Sequence, residues 1–362
     1  MRIAQLAPLF ESVPPKLYGG TERVVSYLTE ELIRLGHEVT LFASGDSRTQ
    51  ARLVPLCPQA LRLNRAFDNG IRHLLMVEKV FQWASEFDII HVHFDYQHYP
   101  LARRWGTATL TTLHGRLDLP ELIELYKEFS EMPVVSISHS QRQPMPHLNW
   151  QGTVYHGLPS DLYHFSPQPG KYLAFIGRIS PEKGVDAAID IAIRAEMPLK
   201  IAAKVDSADT DYFEAVIRRK LEHPLVEFLG EIGESEKNEF LGQALALLFA
   251  IDWPEPFGLA MIEALACGTP VVARRRGSVP EIVEDGVTGF IWETEEEAVQ
   301  ALRRVEGLNR ADCRRSYEDH FTSTRMAWDY LNIYARLLAM QEMEVDRVTW
   351  AKSSRLPINI IF

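Results

Sequence analysis

Cysteine is scarce: Cys57, Cys267 and Cys313 are the only three in 362 residues, and they stand far apart. An odd, scattered set argues against a disulfide framework and against a cysteine-rich zinc site, and makes a reducing cytoplasm the expected compartment. Long apolar runs are also missing; none approaches the ~20 residues of a membrane-spanning helix. Around Met1 there is no basic start followed by an apolar stretch and a small-residue cleavage site, so no signal peptide is expected. Positive charge is in deficit: 38 Lys and Arg against 49 Asp and Glu leave −11, which disfavours a generally basic nucleic-acid surface. Residues 1–168 carry only −2 of this and the remainder −9. The first half is not basic enough to argue for membrane docking, and peripheral membrane contact is left open. Short tandem repeats and low-complexity tracts are absent. The first strand–helix turn lacks Gly-x-Gly-x-x-Gly, which disfavours a nicotinamide dehydrogenase.

What is present is a sizeable apolar fraction, 46%, in a chain too long for one ordinary domain. Strand-like runs alternate with helical patterns. Arg2–Leu9 reads as a buried strand. Thr21 is placed to cap a helix with a stripe of Val24, Val25, Leu28, Leu32 and Leu35; Gly36 ends it and Glu38–Ala43 is the next strand. Asp88–His93, Ala108–Leu113, Val134–Ser138 and Thr153–Tyr155 continue the series. The turn formers between Phe165 and Gly170 read as a linker. The pattern then restarts with strands at Lys171–Ile176, Leu199–Ala202, Val226–Leu229, Ala246–Ala250 and Pro270–Ala273. Strands separated by helices imply parallel βαβ units in doubly wound sheets. The expected organisation is an α/β domain over 1–168, a second over 169–320, a helix over 321–340 and an aperiodic tail over 341–362.

Two stretches carry chemistry. In Gly177-Arg178-Ile179-Ser180-Pro181-Glu182-Lys183-Gly184, Ser180 is a candidate N-cap and Pro181 suits a first helical position. That puts Lys183 in the first turn and Arg178 on the loop before it. Cations beside exposed helix-start N–H groups make a diphosphate site, while two surface cations flanking a helix start are the plainer alternative. In Glu255-Pro256-Phe257-Gly258-Leu259-Ala260-Met261-Ile262-Glu263, two carboxylates bracket a Phe-Gly at another strand-to-helix junction. A helix start without a bulky cap receives phosphate oxygens, and carboxylates accept from hydroxyls. A sugar nucleotide offers hydroxyls at both ends with a diphosphate between. A lone Glu263 would read as a solvated helix face.

These two stretches, with Gly19-Gly20-Thr21-Glu22, Pro270–Ala273, Gly277-Ser278-Val279-Pro280-Glu281 and Asp285-Gly286-Val287-Thr288-Gly289-Phe290, resemble the motifs of family 4 retaining glycosyltransferases of GT-B fold. The resemblance runs over about residues 1–340. It implies two Rossmann-like doubly wound parallel-sheet domains facing a central cleft, with the last helix crossing back to the first domain. It further implies transfer of a hexose from a nucleoside-diphosphate sugar to an acceptor hydroxyl on a glycan, lipid-linked sugar or small molecule. The nucleotide sugar is then a substrate, with no cofactor, no metal and no nucleic-acid partner. UDP is favoured by family frequency, with GDP as the second candidate.

By the same resemblance His114, Arg178, Lys183 and Glu255 form the catalytic set. Arg178 and Lys183 hold the diphosphate, and Glu255 receives donor-sugar hydroxyls. Phe257, Gly258 and Leu259 present backbone to sugar and phosphate, and Glu263 meets the ribose. Glu231 and Ile232 lie beside the base, and Gly19 and Gly20 near the phosphates, where glycine permits close approach. His114 is assigned positioning or transition-state support; a buried, hydrogen-bonded histidine is the plainer reading. Ala203 and Lys204 depart from the pattern where a glycine commonly ends the strand, as does Ala250 where proline is usual. Arg274–Arg276 read more simply as a solvated basic cluster than as an anion site. His91 and His93, two apart on a strand, share a face. With His98 and Asp95 they suggest a metal set less readily than a cleft-edge acceptor role. A glycan phosphorylase, a sugar-nucleotide epimerase and a non-catalytic sugar-nucleotide-binding module are the competing functions.

Overall fold

The computed structural model describes residues 1–63 and 69–353. Seven strands build the first sheet: β1 Arg2–Leu6, β2 Glu38–Ala43, β3 Arg52–Pro55, β4 Ile89–Val92, β5 Thr109–Thr112, β6 Val134–Ser136 and β7 Trp150–Thr153. Six build the second: β8 Tyr172–Arg178, β9 Leu199–Lys204, β10 Val226–Gly230, β11 Ala244–Phe249, β12 Val271–Arg274 and β13 Gly289–Trp292. The spatial orders are β3-β2-β1-β4-β5-β6-β7 and β10-β9-β8-β11-β12-β13, and the recorded pairings are parallel. Chain order reverses between β1 and β4 in one sheet and between β8 and β11 in the other. Crevices at such points, outside the carboxyl ends of the strands, are where open α/β sheets take ligands.

β1 stops at Leu6 rather than Leu9. The Ala7 amide still reaches the Phe42 carbonyl at 3.0 Å, but Pro8 has no N–H with which to continue. The Gly20–Arg34 helix has Gly19, at φ 152°, as its N-cap, so Thr21 lies inside the helix and does not cap it. Its stripe of Val24, Val25, Leu28 and Leu32 is at most 1% exposed, which stabilises by ~1.5–3 kcal/mol per side chain. β3 and β13 were not anticipated, being four residues each; β3 is half exposed, and β13 opens on a glycine. β7 lies at Trp150–Thr153 instead of Thr153–Tyr155, because ladder pairing with β6 selects a half-buried segment without an apolar signature.

The last helix runs Ser323–Ser353, past the expected end at Met340. Gln341, Glu342, Met343 and Glu344 are good helix formers and extend it without any stripe; residues 354–362 of the expected tail lie outside the described residues. The helix crosses back to the first domain. The Tyr334 hydroxyl lies 2.6 Å from His91 Nδ1 and the Tyr330 hydroxyl 2.8 Å from Thr112 Oγ1, while Arg325 donates to the carbonyls of Tyr155 and His156. No helix among the described residues is long and apolar enough to cross a membrane.

Candidate active site

Between the carboxyl ends of the two sheets lies a cavity of about 620 Å³. All twelve residues singled out from the sequence line it: Gly19, Gly20, His114, Arg178, Lys183, Glu231, Ile232, Glu255, Phe257, Gly258, Leu259 and Glu263.

Arg178 is the last residue of β8. Beyond it Pro181–Lys183 forms a 3₁₀ turn, and Gly184 at φ 66° separates that turn from the Val185–Arg194 helix. Lys183 therefore precedes the α-helix instead of occupying its first turn. The Ser180 hydroxyl donates to Glu182 at 3.2 Å and caps no N–H group. A Cβ on Gly184 would sit 2.0 Å from the Ala250 carbonyl oxygen, so only glycine fits this turn against β11. Arg178 donates to Glu182 at 3.1 Å and lies 3.2 Å from Asp209. Lys183 is paired with Glu255, whose Oε2 also accepts from Trp253 Nε1 at 2.9 Å, and the Lys183 ammonium rests 5.3 Å from the Trp253 ring.

Gly258, at φ 84°, begins the Leu259–Ala266 helix without a side-chain cap. The Met261 amide donates to the Gly258 carbonyl at 3.1 Å, and the Leu259 and Ala260 N–H groups before it are placed for an external acceptor. Across the cleft, the uncapped start of the Gly20–Arg34 helix approaches it, with a Cβ on Gly20 placed 3.6 Å from Leu259 Cδ1. Two helix N-termini converge on one space and favour an anion there. Glu263 is 3% exposed and accepts from Lys237 Nζ at 2.8 Å. Glu231 accepts from the Tyr18 amide at 3.0 Å, which ties the loop after β10 of the second domain to the first.

Three histidines, His93, His114 and His156, stand in the first-domain wall. His93 Nε2 lies 2.7 Å from Gln5 Oε1, and His93 Nδ1 lies 3.0 Å from His114 Nε2. The His114 ring stacks on His156, with centroids 5.3 Å apart, and His156 packs on Phe257 at 4.7 Å. His91 and His93 do share a face, their rings 4.0 Å apart. Both ring nitrogens of His91 are engaged, by Tyr334 and by Thr112 at 2.8 Å, and His98 is bonded to Thr111 at 2.9 Å. These rings belong to a buried hydrogen-bond network, and His91 and His98 are absent from the cavity lining. Burial pulls His114 and His98 down to about 3, and His91, His93 and His156 well below 6.5, so all five are neutral at pH 7. Asp95 opens onto the cavity at φ 21°, and burial raises its carboxyl.

Several lining residues escaped the sequence reading, among them His156, Lys237 and Arg23. His156 follows a strand as one polar ring in Tyr155-His156-Gly157, a signal available but unweighted. Lys237 and Arg23 look like ordinary surface cations until the fold pairs Lys237 with Glu263 and Arg23 with Glu234. The Arg274–Arg276 triplet does not reach the cavity; Asp252 and Glu293 hold it at 2.6–3.8 Å.

Two facing domains of this topology, with the cavity at both switch points, define the GT-B architecture. Residues 18–176 match the sequence profile of Glycosyltransferase Family 4 and residues 164–318 that of Glycosyl transferases group 1. The chain belongs to family 4 of the glycosyltransferases. It is 25% identical over 382 residues to N-acetyl-alpha-D-glucosaminyl L-malate synthase of Bacillus anthracis, covering 88% of this chain and 94% of that one. Among solved structures it is similar to AviGT4, a glycosyltransferase of avilamycin A biosynthesis, with TM-score 0.72, 24% identity and coverage of 94% and 98%. It is also similar to Anabaena HepE in complex with UDP-glucose, with TM-score 0.67, 21% identity and coverage of 94% and 100%.

Proposed function

We propose that the chain transfers a hexose from a nucleoside-diphosphate sugar, UDP-linked by preference, to an acceptor hydroxyl with retention of anomeric configuration and without a bound metal. One observation carries this reading: Arg178, Lys183, the uncapped Leu259 helix start, Glu255 and Glu263 all face one cavity between the domains. A leaving diphosphate gains negative charge as the sugar becomes oxocarbenium-like. Fixed cations and helix N–H groups placed there lower the barrier, and they do so without reorganisation.

The pairing of Lys183 with Glu255 sets an order of events. An arriving diphosphate competes for that ammonium. Once released, Glu255 can accept from donor-sugar hydroxyls, with Trp253 Nε1 fixing its orientation. Lys237 occupies one oxygen of Glu263 and leaves the other for ribose hydroxyls. The HepE complex with UDP-glucose supports uridine as the base, and the family supports retention. Closure over the donor excludes water from the activated sugar.

The test is calorimetry with UDP, GDP and ADP, followed by transfer from the matching sugar to an acceptor panel with EDTA present, and NMR of the product's anomeric coupling. Tight UDP binding with a retained linkage is expected. Binding without transfer or donor hydrolysis would make the chain a non-catalytic module. Phosphate-dependent glycan breakdown or acceptor-free epimerisation would move it to another enzyme class.

A further inference from the structure

Gln5 is the penultimate residue of β1 and has no exposed surface. It does not line the cavity itself and meets the cavity wall through His93. Parallel pairing sets it opposite His91, so its side chain joins the histidine face of β4. Its Nε2 donates to the Tyr334 hydroxyl at 3.2 Å, and its Oε1 lies 2.7 Å from His93 Nε2. An amide oxygen only accepts, so the proton of neutral His93 must sit on Nε2. The bare Nδ1 of His93 then accepts from His114 Nε2–H at 3.0 Å. His114, also neutral, is left with a bare Nδ1 that is buried and has no partner in the protein, on a ring that forms part of the cavity wall. Turning the Gln5 amide over would reverse every donor in this chain. It would leave an unpaired N–H at His114 Nδ1, and orphaned buried donors are the rarer and costlier outcome.

We propose that Gln5 is a positioning residue that, acting through His93, holds His114 as its Nε2–H tautomer and so presents His114 Nδ1 as a hydrogen-bond acceptor for a substrate hydroxyl. The proposal rests on the glycosyl-transfer reading and adds to it which ring nitrogen meets the sugar and what sets it. Tyr334 completes the array from the crossing helix: its hydroxyl takes the Gln5 N–H and gives its own proton to His91 Nδ1, while His91 Nε2–H points to Thr112. The array thus runs from the crossing helix to the cavity wall, and its direction is set at the His114 end, where only a bare Nδ1 avoids an orphaned donor.

The experiment uses the full chain labelled with ¹⁵N-histidine. Two-bond ¹H–¹⁵N correlations, assigned with His93 and His114 variants, report the tautomer of each ring, with and without UDP. The expected wild-type result is protonation of both His93 and His114 on Nε2 alone. In Gln5→Met, His114 is expected to populate both tautomers. UDP release from UDP-glucose is expected to fall about tenfold, with UDP affinity unchanged, since one aligned hydrogen bond is lost. A His114 proton on Nδ1 in the wild type overturns the proposal, as does a Gln5→Met protein with unaltered tautomer and turnover. Should Gln5→Met not fold, the wild-type spectrum decides alone. A wild type that neither binds UDP nor turns over UDP-glucose defeats the glycosyl-transfer reading, while the tautomer result stands separately.

Discussion

Lys183 and Glu255 neutralise each other across a distance of 72 residues, and Trp253 holds the pair from one side. A binding site built this way keeps its charges ordered when empty, at the cost of exchanging one ion pair for another when a diphosphate enters. Lys183→Ala and Arg178→Ala are each expected to lower turnover by about a hundredfold or more, the size of effect seen when a transition-state charge partner is removed. Circular dichroism should remain native, because both side chains lie at the cavity and outside the packed core. Unchanged kinetics in both purified variants would remove the diphosphate assignment. Glu263 is buried against Lys237, so Glu263→Gln tests it with less disturbance than truncation. UDP affinity should drop about tenfold while the preferred sugar stays the same; calorimetry giving the wild-type constant would sink the ribose contact.

At the scale of elements, three tight turns aim the site. Gly184 abuts the Ala250 carbonyl, Gly277 at φ 53° abuts the Glu255 backbone, and Gly258 at φ 84° opens the Leu259–Ala266 helix. A Cβ on Gly184 or Gly277 would meet backbone oxygen at 2.0 or 2.2 Å and displace the turn that carries Lys183 or Glu255, whereas at Gly258 the nearest atom is the Met261 methyl and the left-handed backbone is the constraint. Gly184→Ala is expected to cost at least ~2 kcal/mol, combining a left-handed backbone with a 2.0 Å approach to backbone oxygen. Turnover should fall with it. Chemical denaturation showing wild-type stability would mean that the turn relaxes freely. The strands and helices around these turns were largely legible from apolar periodicity. β3, β7 and β13 were not, because short or half-exposed strands acquire their identity from the neighbour they pair with, which no local window contains.

At the scale of the whole molecule, the two domains are joined by contacts that neither contains alone. Glu281, from the second, accepts from the His139 and Ser140 amides at 2.7 Å each and from the Tyr155 hydroxyl at 3.0 Å. Arg23 and Glu234 make a second link. Glu281→Ala should loosen the nucleotide-free molecule, seen as a larger radius of gyration in solution scattering, and lower turnover more than UDP affinity. An unchanged scattering profile would deny it a closure role. The buried histidines set a pH limit. Their folded-state pKa values lie below the usual 6.5, so between the two the unfolded chain binds more protons. For His114 and His98 the stabilisation is complete above about 6.5 and is lost as pH falls toward 3, at up to ~1.4 kcal/mol per pH unit each, and His91, His93 and His156 act in the same direction. Glu11, Glu22 and Asp95, raised by burial, oppose this over part of the range but are fewer. A melting temperature that stays level from pH 6.5 to 4.5 would contradict the array's neutral burial.

Apolar periods and turn formers at strand ends were enough, by themselves, to indicate two α/β halves, and the spacing of Arg178 to Lys183 and of Glu255 to Glu263 marked two strand-to-helix junctions suited to a sugar nucleotide, while the other candidate cleft residues came from the family resemblance. Those features are local, since side-chain period and backbone permissiveness are properties of a few consecutive residues. Which partner each charge takes was decided only by the tertiary structure. Lys183 finds Glu255, Lys237 finds Glu263, and Gln5 orients a histidine two rings away, because pairing and burial depend on distances that folding creates between residues remote in the chain.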